Sequence, residues 1–123
     1  MALLPQDNIY YSGDTIKLSF QLWKDKCADL PWDLTNSEIR FQLNTATIIK
    51  KATANVTGGA DSQIKIDDAS EGIFTVYILK TESGVAVGDY TFEIEVTEAN
   101  GERFTILQAS LRILAEYITW GDL

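Results

Sequence analysis

Histidine is absent from this 123-residue chain, and cysteine occurs once, at Cys27. Without imidazole the usual general base, the usual proton shuttle and the commonest transition-metal ligand are all missing. A Ser-His-Asp or Cys-His arrangement cannot be assembled, and one thiol with no imidazole gives zinc no ligand set. A lone cysteine excludes an intrachain disulfide, which leans towards folding in a reducing cytoplasm. Proline is scarce too, with only Pro5 and Pro31. Basic residues are the minority, 10 Lys and Arg against 18 Asp and Glu, for a net charge of −8. Their longest run is Lys50-Lys51, whereas a phosphate-binding surface needs a cluster that displaces counterions. Nucleic acid is therefore not an expected partner. No stretch approaches the roughly 18 apolar residues of a membrane span, so no membrane partner is expected. The opening Met1-Ala2-Leu3-Leu4-Pro5 lacks the basic and long apolar regions of a signal peptide. The expectation is a chain made and folded in the cytoplasm.

Carboxylates are the remaining route to chemistry. Glycoside hydrolysis needs two of them facing each other across a cleft, but Glu93 and Glu95 share one face of one segment and read as solvated. Asp67, Asp68 and Glu71 cluster where turn formation explains them. With Asp61 they form an oxygen-only set of the kind calcium takes, although the spacing does not match an EF-hand loop. Gly58-Gly59 is not followed by the Lys-Ser/Thr of a phosphate loop. Cys27, in a polar turn, has no base beside it and reads as a bystander thiol. The sequence thus offers no catalytic residue, cofactor site, metal site or small-molecule substrate, and it does not read as an enzyme.

What the chain does have is alternation. In Ile16-Lys17-Leu18-Ser19-Phe20-Gln21-Leu22, Ile39-Arg40-Phe41-Gln42-Leu43 and Tyr90-Thr91-Phe92-Glu93-Ile94-Glu95-Val96, polar and apolar residues exchange places at period two. That is the spacing of a strand with one dry face. Shorter strands are expected over 8–11, 48–54, 63–66 and 73–79, with a glycine-closed turn over 68–72. Asn100-Gly101 supplies the positive φ that a hairpin needs and leads into a last strand over 102–114. Within it Phe104 and Ile106 have one parity, while Leu107, Ala109, Leu111 and Ile113 have the other. A bulge or a bend between sheets is therefore expected near Ile106-Leu107. About 7–9 short strands with frequent turn signals predict an all-β fold, an immunoglobulin-like antiparallel β-sandwich. Residues 1–8 read as an amino-terminal arm, 9–116 as the sandwich and 117–123 as a carboxy-terminal tail.

Tryptophan and tyrosine are enriched at interface centres. Trp32 reads as a plug at one end of the sandwich. Trp23 falls out of phase with its own strand, and Trp120 lies beyond the last one. The candidate interface residues are Leu3 and Leu4 in the arm, Trp23, and Tyr117 and Trp120 in the tail.

The order of motifs carries a resemblance. Gly13-Asp14-Thr15 leads into an alternating strand, and Asp33-Leu34-Thr35 precedes the next. Gly88-Asp89-Tyr90 opens a third, and Asn100-Gly101 precedes Phe104-Thr105-Ile106-Leu107 and Leu111-Arg112-Ile113. Over residues 9–114 this order resembles small immunoglobulin-like structural proteins of tailed bacteriophages, and the amino-terminal domain of phage baseplate upper proteins. Two departures stand out: Asn36 where many relatives carry glycine, and no long fibre region. The resemblance implies a non-enzymatic virion structural or assembly protein in the tail, neck or baseplate. Its partners would be other virion proteins and copies of itself, met through β-augmentation or arm exchange. A capsid decoration protein and a receptor- or glycan-binding module are the alternatives.

Overall fold

The computed structural model describes residues 2–3, 9–11, 15–24, 30–45, 48–79 and 88–114. Among these residues nine strands form two sheets: β1 (Ala2–Leu3), β2 (Ile9–Tyr11), β3 (Ile16–Leu22), β4 (Glu38–Leu43), β5 (Ile49–Ala52), β6 (Ile64–Asp68), β7 (Ile73–Ile78), β8 (Gly88–Thr97) and β9 (Arg103–Leu114). One sheet has the order β1-β3-β7-β6 and the other β2-β9-β8-β4-β5. These are the A-B-E-D and G-F-C-C′ layers of the immunoglobulin-like sandwich. Here the first strand is divided between the layers, since β1 lies beside β3 and β2 beside β9. The β2·β9 pair is parallel, and the others between named strands are antiparallel.

The period-two pattern does what it predicts. Ile16, Leu18, Phe20 and Leu22 of β3 are buried, while Lys17 and Ser19 between them are exposed. Ile39, Phe41 and Leu43 of β4 and Phe92, Ile94 and Val96 of β8 supply the opposing layer. Burying each large apolar side chain stabilises the fold by about 1.5–3 kcal/mol. Phenylalanine rings fill the centre. Phe20 stacks on Phe74 of its own sheet at 5.2 Å and meets Phe92 of the other sheet at 6.2 Å. Phe92 in turn lies 5.5 Å from Phe41.

Two bulges re-phase the strands. Ile94 pairs with Leu107 but Glu95 with Thr105, so Ile106 is the extra residue. This is the bulge expected from the change of parity, and β9 stays beside β8 on both sides of it rather than switching sheets. The second bulge is at Asp67, between the pairs Ile66↔Phe74 and Asp68↔Ile73.

The turns follow their residues with one difference. At the β8–β9 hairpin the positive φ (+89°) falls on Gly101 alone, whose N–H donates to the Glu98 carbonyl at 2.8 Å. Asn100 instead accepts the Glu102 N–H through Oδ1 at 2.9 Å, so the connection is a type I turn closed by a left-handed glycine. Asn36 has φ +58°, the left-handed region that asparagine tolerates and glycine adopts freely.

Within residues 1–8, read from sequence as an arm, Ala2–Leu3 forms a strand of the sheet, with Ala2 opposite Leu22 and Leu3 opposite Gln21. The tail 117–123 lies outside the described residues.

Gly72 closes the 68–72 turn at φ +70°, and a Cβ there would lie 2.7 Å from the Leu22 carbonyl oxygen and 2.8 Å from that of Trp32. Gly101→Ala has the same left-handed backbone but open space around it. Gly72→Ala should therefore cost at least about 2 kcal/mol, and Gly101→Ala about 1 kcal/mol. Urea denaturation of the two variants checks the ranking.

Candidate protein interface

β3 ends at Leu22, and the chain then turns across one end of the sandwich. The Leu22 N–H donates to the Gly72 carbonyl at 2.9 Å, and the Leu22 carbonyl accepts from Trp32 N–H at 3.0 Å. Trp23 forms an isolated bridge with Pro31, and Lys24 N–H donates to the Leu30 carbonyl at 2.9 Å. These bonds bring 30–32 back over the end of the core. Trp32 packs against that core and meets Phe104 edge-on, at 5.5 Å and 73°. Such a pair is worth about 0.5–1.5 kcal/mol beyond its buried area. The Lys24 ammonium stands 5.8 Å from the Trp32 ring centroid, within cation–π range. Trp32 is thus the end plug expected from sequence, with one edge open to solvent.

That open edge is apolar. Phe104 remains 37% exposed and Leu30 55%. The Trp32 indole Nε1 is buried without a hydrogen-bond partner among the described residues. A buried polar group left unpaired is unfavourable, so the tryptophan is held by packing. Trp32 and Phe104, with Lys24 over the indole and the exposed Leu30 two residues before Trp32, make this end of the sandwich apolar.

Beside the patch, Asp33, Thr35, Ser37, Glu98 and Asn100 line a shallow polar groove with Lys24. Asp33 Oδ1 accepts both the Thr35 hydroxyl at 2.6 Å and the Thr35 N–H at 2.9 Å. These bonds, with the charge of Lys24 nearby, hold its carboxyl below the ordinary carboxylate value. The outer face of the β2-β9-β8-β4-β5 sheet is different in kind. Arg40 pairs with Glu38 at 3.1 Å and Glu95 at 3.9 Å, and Arg103 with Glu95 at 3.3 Å. A groove of about 530 Å3 runs there between Arg40, Lys50, Gln63 and Glu93. Exposed pairs of this type contribute about 0–1 kcal/mol each, so this is a solvated polar face, as Glu93 and Glu95 suggested.

The acids near the 68–72 turn have separate tasks. Asp67 Oδ2 accepts the Thr75 hydroxyl at 2.6 Å, and the Thr75 oxygen lies 3.1 Å from Ser19 Oγ. Asp68 Oδ1 accepts the Ser70 hydroxyl at 3.0 Å and the Glu71 N–H at 3.3 Å. Turn formation and strand cross-linking account for both residues.

Of the interface candidates, Leu3 lies on β1 opposite Gln21, next to the end that carries Trp23. Trp23 is half-buried. Leu4, Tyr117 and Trp120 lie outside the described residues, as does Cys27. The ends of the strands sort into opposite poles. Ala2, Trp23, Trp32 and the start of β9 share one, whereas β9 finishes at Leu114, level with Tyr11, at the other. Leu30 and Phe104 were not singled out from sequence. The usable signals were the apolar run Leu30-Pro31-Trp32 after a polar turn, and Phe104 on the far side of the parity change.

No family model matches the sequence, and no curated protein matches it. Among solved structures the chain is similar to AggA, the major subunit of aggregative adherence fimbriae type I from Escherichia coli. The two share 11% identity at a TM-score of 0.43, over 94% of this chain and 93% of that one.

Asp33→Asn keeps the acceptor oxygen and removes the titration. A lowered folded-state pKa stabilises the protein above the unfolded carboxyl's ordinary pKa of about 3.9, and that contribution is lost as pH falls through the lowered value. The stability difference between wild type and Asp33→Asn should accordingly be constant near neutrality and shrink in acid. Urea melts across that range, with an NMR titration of the Asp33 carboxyl carbon, check it.

Proposed function

We propose that the chain is a non-enzymatic structural and assembly protein of a tailed phage particle. It would be a tail, neck or baseplate component, working through contacts with other virion proteins and with copies of itself. The observation that carries this reading is polar: the apolar patch and β1 share one end of the sandwich, and β9 runs out at the other. Unlike surfaces at opposite ends favour heterologous, head-to-tail contacts, which close into rings or extend as filaments. The order of motifs from Gly13-Asp14-Thr15 to Leu111-Arg112-Ile113 supports a phage particle in particular. The histidine-free composition fits a protein whose work is contact rather than catalysis. Its place of action would be the virion, after folding in the host cytoplasm.

Immunogold electron microscopy on purified particles of the phage encoding the chain tests this. Label on the tail, neck or baseplate is the expected result. Label on the shell would instead make it a decoration protein. Absence from particles, together with glycan-array binding that depends on Trp23 or Trp32, would replace the proposal with a receptor-binding module.

A further inference from the structure

Asn100-Gly101 shapes the β8–β9 turn, and the same dipeptide carries a second chemistry. An asparagine amide can be attacked by the main-chain nitrogen that follows it, and glycine has no Cβ to obstruct the closing ring. Asn8, Asn36, Asn44 and Asn55 precede Ile, Ser, Thr and Val, and Asn100 alone precedes glycine. At Asn36 the following nitrogen is guarded, since Ser37 is 2% exposed and its N–H donates to the Leu34 carbonyl at 3.0 Å. Asn100, Gly101 and Glu102 are all exposed, and a Cβ at Gly101 would meet nothing within 4 Å. We infer that Asn100 is a site of spontaneous deamidation through a succinimide, and that local opening of the hairpin turn sets its rate.

In the reaction the Gly101 nitrogen gives its proton to a base in solvent and bonds to Asn100 Cγ. The Cγ–Nδ2 bond breaks, and ammonia leaves with a proton taken from water. Water then opens the succinimide ring. Opening at Cγ leaves aspartate, whereas opening at the main-chain carbonyl leaves isoaspartate, with one extra carbon in the main chain. In the closed turn both reacting groups are held. Gly101 N–H donates to the Glu98 carbonyl at 2.8 Å, and Asn100 Oδ1 accepts the Glu102 N–H at 2.9 Å. Both bonds must part before the nitrogen meets Cγ, and exposed bonds at a hairpin tip open without unfolding the core.

The two products differ in consequence. Turn length fixes hairpin register, here Thr97 opposite Arg103 and Val96 opposite Phe104. Isoaspartate lengthens the turn and draws Phe104 from its place 5.5 Å from Trp32. Aspartate keeps the backbone and an acceptor for the Glu102 N–H, and only adds a charge to the groove that holds Asp33 and Glu98.

Peptide mapping of the full chain, aged at mildly alkaline pH with and without urea, reads conversion at each asparagine. The expected result is conversion at Asn100 ahead of every other, about thirtyfold faster in urea, the factor for releasing two exposed hydrogen bonds. Ile78→Val, a core change at the far end of β7 beside Ile16, should lower stability and leave the native rate unchanged. Conversion first at another asparagine, or none in the folded chain, would overturn the site. Equal rates with and without urea would overturn control by the turn, as would a native rate that climbs in Ile78→Val. Hydrogen exchange at 103–105 should quicken in the isolated isoaspartate form and stay slow in Asn100→Asp. The same exchange in both would overturn the effect on Trp32 and Phe104.

Discussion

The contact between Phe20 and Phe92 is the one on which the rest of the structure depends, because it is where the two sheets meet ring against ring. Each ring is braced within its own sheet, Phe20 by Phe74 and Phe92 by Phe41. All four are 2% exposed or less. Aromatic pairs in tilted and offset arrangements add specificity to the burial of their area. The quartet therefore fixes the register of β3 and β7 against β4 and β8, and the flanking Ile, Leu and Val layers pack outward from it.

A sandwich clamped at its centre leaves its ends to be finished by local devices. At one end Gly72 lets the chain pass within contact of the Leu22 and Trp32 carbonyls, and Trp32 caps the core against Phe104. The bulge at Ile106 belongs to the same arrangement. It keeps Leu111 and Ile113 in the core while Phe104, opposite Val96, still reaches Trp32. The apolar patch is a consequence of how this end is closed. The sheet faces carry hydroxyl, carboxylate and guanidinium pairs with mutual partners, and ask for nothing further. Function, in this reading, belongs to the poles.

Much of this was legible in the residues. Alternation located β3, β4 and β8, since a buried face leaves a period-two trace, and the parity change in β9 announced the bulge at Ile106. What escaped had no period to read. β1 is two residues long, so its pairing with β3 is set by tertiary contact, and a sequence reading made it part of an arm. β2 pairs in parallel with β9, a relation between segments a hundred residues apart. The bulge at Asp67 falls in a strand too short to show a shift. Lys51 is buried at 6% exposure, opposite Phe41, in a segment that read as partly exposed. A long aliphatic stem makes such burial tolerable, but nothing in the local pattern signals it. The patch escaped for a related reason: Trp32 and Phe104 are distant in sequence and meet only in the folded sandwich.

Hydrogen–deuterium exchange on assembled against dissociated protein tests the central claim, that contacts are made at the poles and not on the sheet faces. The account predicts slowed exchange on assembly at 23–24, 30–32 and 103–105, with the outer-face segments 40–42, 50–52 and 93–95 unchanged. Protection gained on those outer-face segments, with the aromatic end unaltered, would contradict it.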